Sequence, residues 1–220
     1  DLDKVFDIVP FDISPEKPFQ LAYLDSVTYE DYHKDATDKE PEQNYSRVVF
    51  HFKEYNGVSE FKWFLNEVFE DKPTKKGTTF TMAEQAKTQE VKLAQIYCTY
   101  RGMNAHVTDA LGAGAKDEKE WLRLIEKAFN TGQDGNPIFK DSKGEPRLVW
   151  LRLVYTNSGY VDFPYIGNVI DLYKKDTPTM LRVGKGDLLT RPTSAKESLI
   201  PPAGSSDAAA DKGFPPGFSY

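Results

Sequence analysis

Residues 47–69, RVVFHFKEYNGVSEFKWFLNEVF, constrain the fold more than any other stretch. Side chains on a strand alternate between two faces. Val48, Phe50 and Phe52 therefore share one face, and Val49, His51, Lys53 and Tyr55 the other. Beyond Asn56-Gly57 the alternation resumes, with Phe61, Trp63 and Leu65 set against Lys62 and Phe64. An Asn-Gly pair between two alternating runs predicts a hairpin with a type I′ turn. One face of this hairpin is apolar; the other mixes aromatic and basic residues.

A second β region spans 148–173, LVWLRLVYTNSGYVDFPYIGNVIDLY. Val149, Leu151, Leu153 and Tyr155 fall on one face, and Trp150, Arg152 and Val154 on the other. Thr156–Gly159 reads as a turn, and Pro164 ends the return strand. Further strands are expected at about 166–173 and 178–189. Between the β regions the period changes. Thr81-Met82-Ala83-Glu84 is a capping box opening a helix to about Cys98, with Met82, Ala86, Leu93, Ala94 and Tyr97 as its stripe. Asp117, with Glu120 behind it, caps a second helix carrying Trp121, Leu124, Ile125 and Ala128, which Gly132 stops. The expected fold is mainly β with inserted helices (α+β), as a small barrel or a curled antiparallel sheet. Its core is expected over 47–193, with the helical insert at about 81–130. Residues 1–46 read as an acidic arm packing on that core, 30–44 as an exposed loop, and 194–220 as a disordered tail.

Charge is distributed unevenly in this 220-residue chain of net charge −6. Residues 1–46 hold 12 acids and 4 bases, whereas 47–193 hold 22 bases and 19 acids. That asymmetry points to a polyanion partner for the middle, although so small an excess over so long a stretch is also ordinary. Cys98 is the single cysteine, and His33, His51 and His106 are scattered, so neither a disulfide nor a zinc cluster is expected. No apolar run approaches membrane-spanning length and residues 1–19 do not read as a signal peptide. The expected setting is the cytoplasm, that of the host cell if the protein is viral.

The phosphate-loop, dinucleotide, zinc-protease and nucleophile-elbow signatures are all absent. The acids Asp117, Glu118 and Glu120 lie at a helix start, where the cap and dipole account for them. Asp162 and Asp171 are the only pair that suggests a metal-dependent nuclease, and their spacing does not demand one. Neither a catalytic site, a metal nor a cofactor is expected. A sequence-tolerant single-strand binder needs cations for phosphates and rings for bases. Lys53, Lys62, Lys75, Lys76, Arg101 and Arg152 are the candidate phosphate contacts, and Tyr55, Phe64, Trp150 and Tyr160 the candidate stacking rings. The alternative is that these rings are buried or form subunit contacts, as in a virion structural or adaptor protein.

The order of the first hairpin, the helical insert and WLRLVYTNSGYVDFPYIGNVIDLY…PTMLRV resembles phage single-stranded-DNA-binding proteins with an OB-like barrel. The resemblance covers about 47–192. It implies an OB-like core that coats single-stranded DNA in phage replication or recombination, without catalysis. In such proteins a flexible tail recruits replication partners through acidic residues and a terminal aromatic. Here the tail has Phe214, Phe218 and Tyr220, but only Asp207 and Asp211 as acids after Glu197.

Overall fold

Alternating apolar side chains leave a strand one face to bury, and in the computed structural model five such strands share a single core. The structure describes residues 9–36, 42–68, 70–73, 77–102, 114–132 and 135–192. In chain order the elements are β1 (Phe19–Lys34), β2 (Gln43–Glu54), β3 (Glu60–Asn66), β4 (Lys72–Pro73), β5 (Thr79–Phe80), α1 (Met82–Arg101), α2 (Glu118–Asn130), β6 (Leu148–Arg152), β7 (Val154–Tyr155), β8 (Val161–Asp162) and β9 (Ile170–Leu172). The main sheet has the order β3-β2-β1-β6-β9, and all its neighbours are antiparallel. Strands β4–β5 and β7–β8 form two small ribbons. The fold is thus mainly β with two helices, and the main sheet is open: β3 and β9 are its edges, so it is not closed into a barrel.

Residues 19–34, read as part of an arm, form β1, the middle strand. Its first half pairs with β6, from Phe19↔Arg152 to Tyr23↔Leu148, and nearly its whole length pairs with β2. A bulge between Leu24 and Ser26 keeps its buried side on one face despite a break in the alternation. That break, and the acids Asp25, Glu30 and Asp31, hide the strand from a period-two reading. The 30–44 stretch likewise contains the ends of two paired strands.

Both helices cover one face of the sheet. Leu93, Ile96 and Tyr100 of α1 and Leu122, Ile125 and Phe129 of α2 join Leu24, Val27, Phe50, Phe52, Trp63, Val149 and Leu151 in one core. Phe129 meets Phe50 edge-on at 5.0 Å, and Phe163 meets Phe61 at 5.0 Å. The capping box of α1 forms as expected, and Gly102 ends the helix in the left-handed region at φ 63°. Its buried stripe is rotated from expectation, with Gln85 and Lys92 inside and Met82 exposed. Polar side chains serve there because carbonyls meet them: Gln85 Nε2 donates to Glu70 O (2.9 Å) and Phe80 O (3.1 Å). For α2, Asp117 caps the Glu120 amide (2.8 Å), while the Glu120 carboxylate reaches Lys116 N rather than completing a box.

Two turn expectations are corrected. The β2–β3 connection is a five-residue loop in which Asn56 alone takes positive φ (58°) and Gly57 does not, so it is not a type I′ turn. Residues 178–189 form no strand. They are pinned instead through Asp187 to Arg152 and through Tyr155 N to Leu188 O (2.8 Å).

Candidate nucleic-acid interface

With both helices on one face, the other face carries the alternate residues of each strand. Register places Glu60, Lys62, Phe64 and Asn66 of β3 beside Lys53, His51, Val49 and Arg47 of β2. Next come Tyr23, Ser26, Thr28, Glu30 and Tyr32 of β1, then Leu148 and Trp150 of β6. Lys53, Tyr55, Lys62, Phe64 and Trp150 therefore share one helix-free face, each half-buried or exposed.

The face has two aromatic stations. At one end Trp150 and Tyr55 flank Leu21, since Trp150 pairs with Leu21 and Tyr55 N donates to Leu21 O (2.9 Å). With Phe19 and Thr179 they line a shallow depression of about 420 Å³, and the Tyr173 ring lies 6.0 Å from Trp150. At the other end Phe64 sits opposite Val49, six residues along β2 from Tyr55 and so about 20 Å away. Its ring is not bare. The Arg47 guanidinium stacks between Phe64 (4.5 Å) and Tyr32 (4.2 Å), and Tyr32 packs on Tyr45 at 4.9 Å. Arg47, Tyr32 and Tyr45 were missed because the acids around Tyr32 masked its strand character.

Between the stations lie His51, Lys53 and Lys62. Lys53 Nζ pairs with Asp25 at 3.0 Å, and hydrogen bonding to that carboxylate raises its pKa. Arg47 is paired with Glu30, and Lys17 at the rim with Glu54 (3.1 Å). Lys62 has no ion-pair partner among the described residues. Burial, then the Lys62 charge, holds His51 below the usual histidine range.

The remaining expected residues do not join this face in an available form. Arg152 is 5% exposed and fully engaged: Nε and Nη2 donate to the Asp187 carboxylate at 2.8 Å each, and Nη1 donates to Ile166 O (3.2 Å) and Asn168 O (3.4 Å). A guanidinium so held is a structural clamp, not a free phosphate contact. Arg101 ends α1 in the helical layer, on the other side of the sheet, with Nε buried. Tyr160 belongs to the β7–β8 hairpin, where Thr156 N donates to Tyr160 O (2.7 Å). Lys75 and Lys76, like the 194–220 tail, lie outside the described residues. Asp162 and Asp171 sit on strands of different sheets, and Asp171 caps Thr179 Oγ1 and Met180 N. No cluster of acids, histidines or cysteines suited to a metal, and no helix long and apolar enough to cross a membrane, occurs among the described residues. No family model, curated protein or solved structure matches the chain.

Proposed function

We propose that this protein binds single-stranded DNA without sequence preference, on the helix-free face of its main sheet. The observation that carries this is the gathering of Tyr55, Phe64 and Trp150 with Lys53 and Lys62 on one face, with the rings at two ends and the cations between. Bases would stack on the rings and phosphates would meet the lysines, without catalysis. The span of about 20 Å accommodates about six nucleotides at ~3.4 Å each, within the usual range for one module.

Connectivity supports an OB-like reading of the fold. Counting only main-sheet strands, the neighbours run 3-2-1-4-5, with the helices between the third and fourth. A five-stranded OB barrel has these pairings plus a closing one between its third and fifth strands. This chain would then be such a barrel opened at one seam. Phage DNA replication or recombination, cytoplasmic location and recruitment through the 194–220 tail follow from the same proposal.

The test is a titration with oligo-dT at low and moderate salt, read by tryptophan quenching and anisotropy. Replacing Trp150 or Tyr55 by Ala weakens binding about 5- to 150-fold, the equivalent of roughly 1–3 kcal/mol per stacked base. No signal change at micromolar protein removes the proposal. One observation favours a second reading. The carboxylates Asp25 and Glu30 pair two of the three main cations, leaving a face suited to another protein, as in a virion structural or adaptor component. A stable oligomer whose size ignores DNA would support it.

A further inference from the structure

Strand β3 is an edge whose outward hydrogen-bonding groups can be assigned. Glu54 N donates to Ser59 O and Glu67 N to Ser46 O, both at 2.8 Å, so the odd-numbered residues point toward β2. By the two-residue period, Glu60, Lys62, Phe64 and Asn66 point their main-chain groups outward. Both ends of this edge are covered. Glu60 N donates to Val9 O (2.8 Å). Asn66 N donates to Gln89 Oε1 (2.7 Å), and Asn66 O accepts from Gln89 Nε2 (3.1 Å). Between them the outward groups of Lys62 and Phe64 have no partner among the described residues. Proteins rarely leave such a template exposed.

We propose that residues 5–8 of this same chain pair antiparallel with β3 and close this gap. Register follows from the contact already made: with Val9 opposite Glu60, antiparallel continuation sets Asp7 opposite Lys62 and Val5 opposite Phe64. Direction follows from the path after Val9. Phe11 and Ile13 are buried, Gln20 Nε2 holds Asp12 O (3.0 Å), and the chain then enters β1. Residues 10–18 thus occupy the end of the sheet where β3 begins, and the segment before Val9 has the β3 edge open to it. The side chains agree with this register. Asp7 falls beside Lys62, a cation of the helix-free face with no carboxylate partner among the described residues. Phe6 and Ile8 fall on the other face, beside Trp63 and Phe61, where the core lies. Asp3 would fall at Asn66, which Gln89 already covers, so the pairing ends near Val5. If the single-strand reading holds, this strand also places Asp7 against a cation that a phosphate would use. The experiment reads strand pairing without nucleic acid, so the two ideas fail separately.

The full-length chain is made with Cys98→Ala, Asp7→Cys and Lys62→Cys and oxidised mildly. Opposed residues in such a pair have Cα atoms about 5.5 Å apart, within disulfide range. An intrachain link is expected, and a one-residue-shifted pair, Phe6→Cys with Lys62→Cys, is expected to stay unlinked. Absence of the link, or equal linking of both pairs, overturns the proposal; a linked dimer replaces it with strand exchange between copies. Amide exchange gives a second reading. Asp7→Pro in the otherwise native full chain should speed exchange at Lys62 and Phe64 tenfold or more, and unchanged rates would also overturn it.

Discussion

Replacing Asp187 by alanine removes the partner of a guanidinium that has almost no contact with water. Both side chains of the pair are 6% exposed, and two parallel bonds of 2.8 Å join them. Taking one partner from a buried pair leaves an uncompensated charge and costs about 3–5 kcal/mol. The variant also strips the acceptor from Gly184 N, which donates to Asp187 Oδ2 at 2.8 Å. With a urea slope near the upper end for small proteins, about 3 kcal/mol per molar, the midpoint should fall by about 1–2 M. Chemical denaturation followed by tryptophan fluorescence measures it. Arg152→Met combined with Asp187→Leu should recover much of the loss, because no charge is left buried. Gly184→Ala should approach the single variant, since a β-carbon there would lie 2.6 Å from Arg152 Nη2. An Asp187→Ala shift below about 0.3 M, or a double variant no better than the single, would refute a buried clamp and make Arg152 available to ligands after all.

Thr81→Ala removes the hydroxyl that accepts from Glu84 N (3.2 Å) and should cost about 0.5–2 kcal/mol in the same denaturation assay; no change would mean that α1 does not depend on its box. His51 should titrate below 6.5 in the folded protein by NMR, and Lys62→Met should move it partly back, since burial is the larger cause and the Lys62 charge the second. The sign follows: the folded state prefers neutral His51, so this residue's contribution is fully present above about pH 6.5 and is lost as pH falls through the folded value. A folded value at or above 6.5 would contradict the buried setting.

Much of the sheet was legible, because alternation depends on burial and burial is written in side-chain type. Phe50, Phe52, Trp63 and Val149 sit inside as their positions require. Strand β1 was not, since its bulge shifts the alternation by one residue at Asp25 and its outward positions hold acids. The α1 stripe failed for another reason: Gln85 and Lys92 are interior because backbone carbonyls meet them, and no local pattern announces a distant carbonyl. The candidate face divides along the same line. Face membership follows from period two and so placed Lys53, Lys62, Phe64 and Trp150 correctly on one side, whereas pairing is non-local. Nothing near Arg152 in sequence indicates that Asp187, thirty-five residues on, will occupy it.

Pairing, rather than the count of basic residues, decides how the proposed binding responds to salt. Each phosphate neutralised on a single strand contributes about −0.7 to the slope of log affinity against log salt. Six cations acting together, Lys53, Lys62, Lys75, Lys76, Arg101 and Arg152, would give roughly −4. Arg152 is committed to Asp187, and Arg101 lies in the helical layer, so neither can contribute. Lys53 still can, because its pair with Asp25 is substantially exposed and such pairs are worth only about 0–1 kcal/mol. Lys62 is unpaired among the described residues. The expected slope with oligo-dT is therefore no steeper than about −3. Lys53→Met and Lys62→Met should each flatten it by about 0.7, and Arg101→Met should leave it unchanged. A slope near −4 that Arg101→Met flattens would place the strand over the helices and dismiss the sheet face as its binding surface.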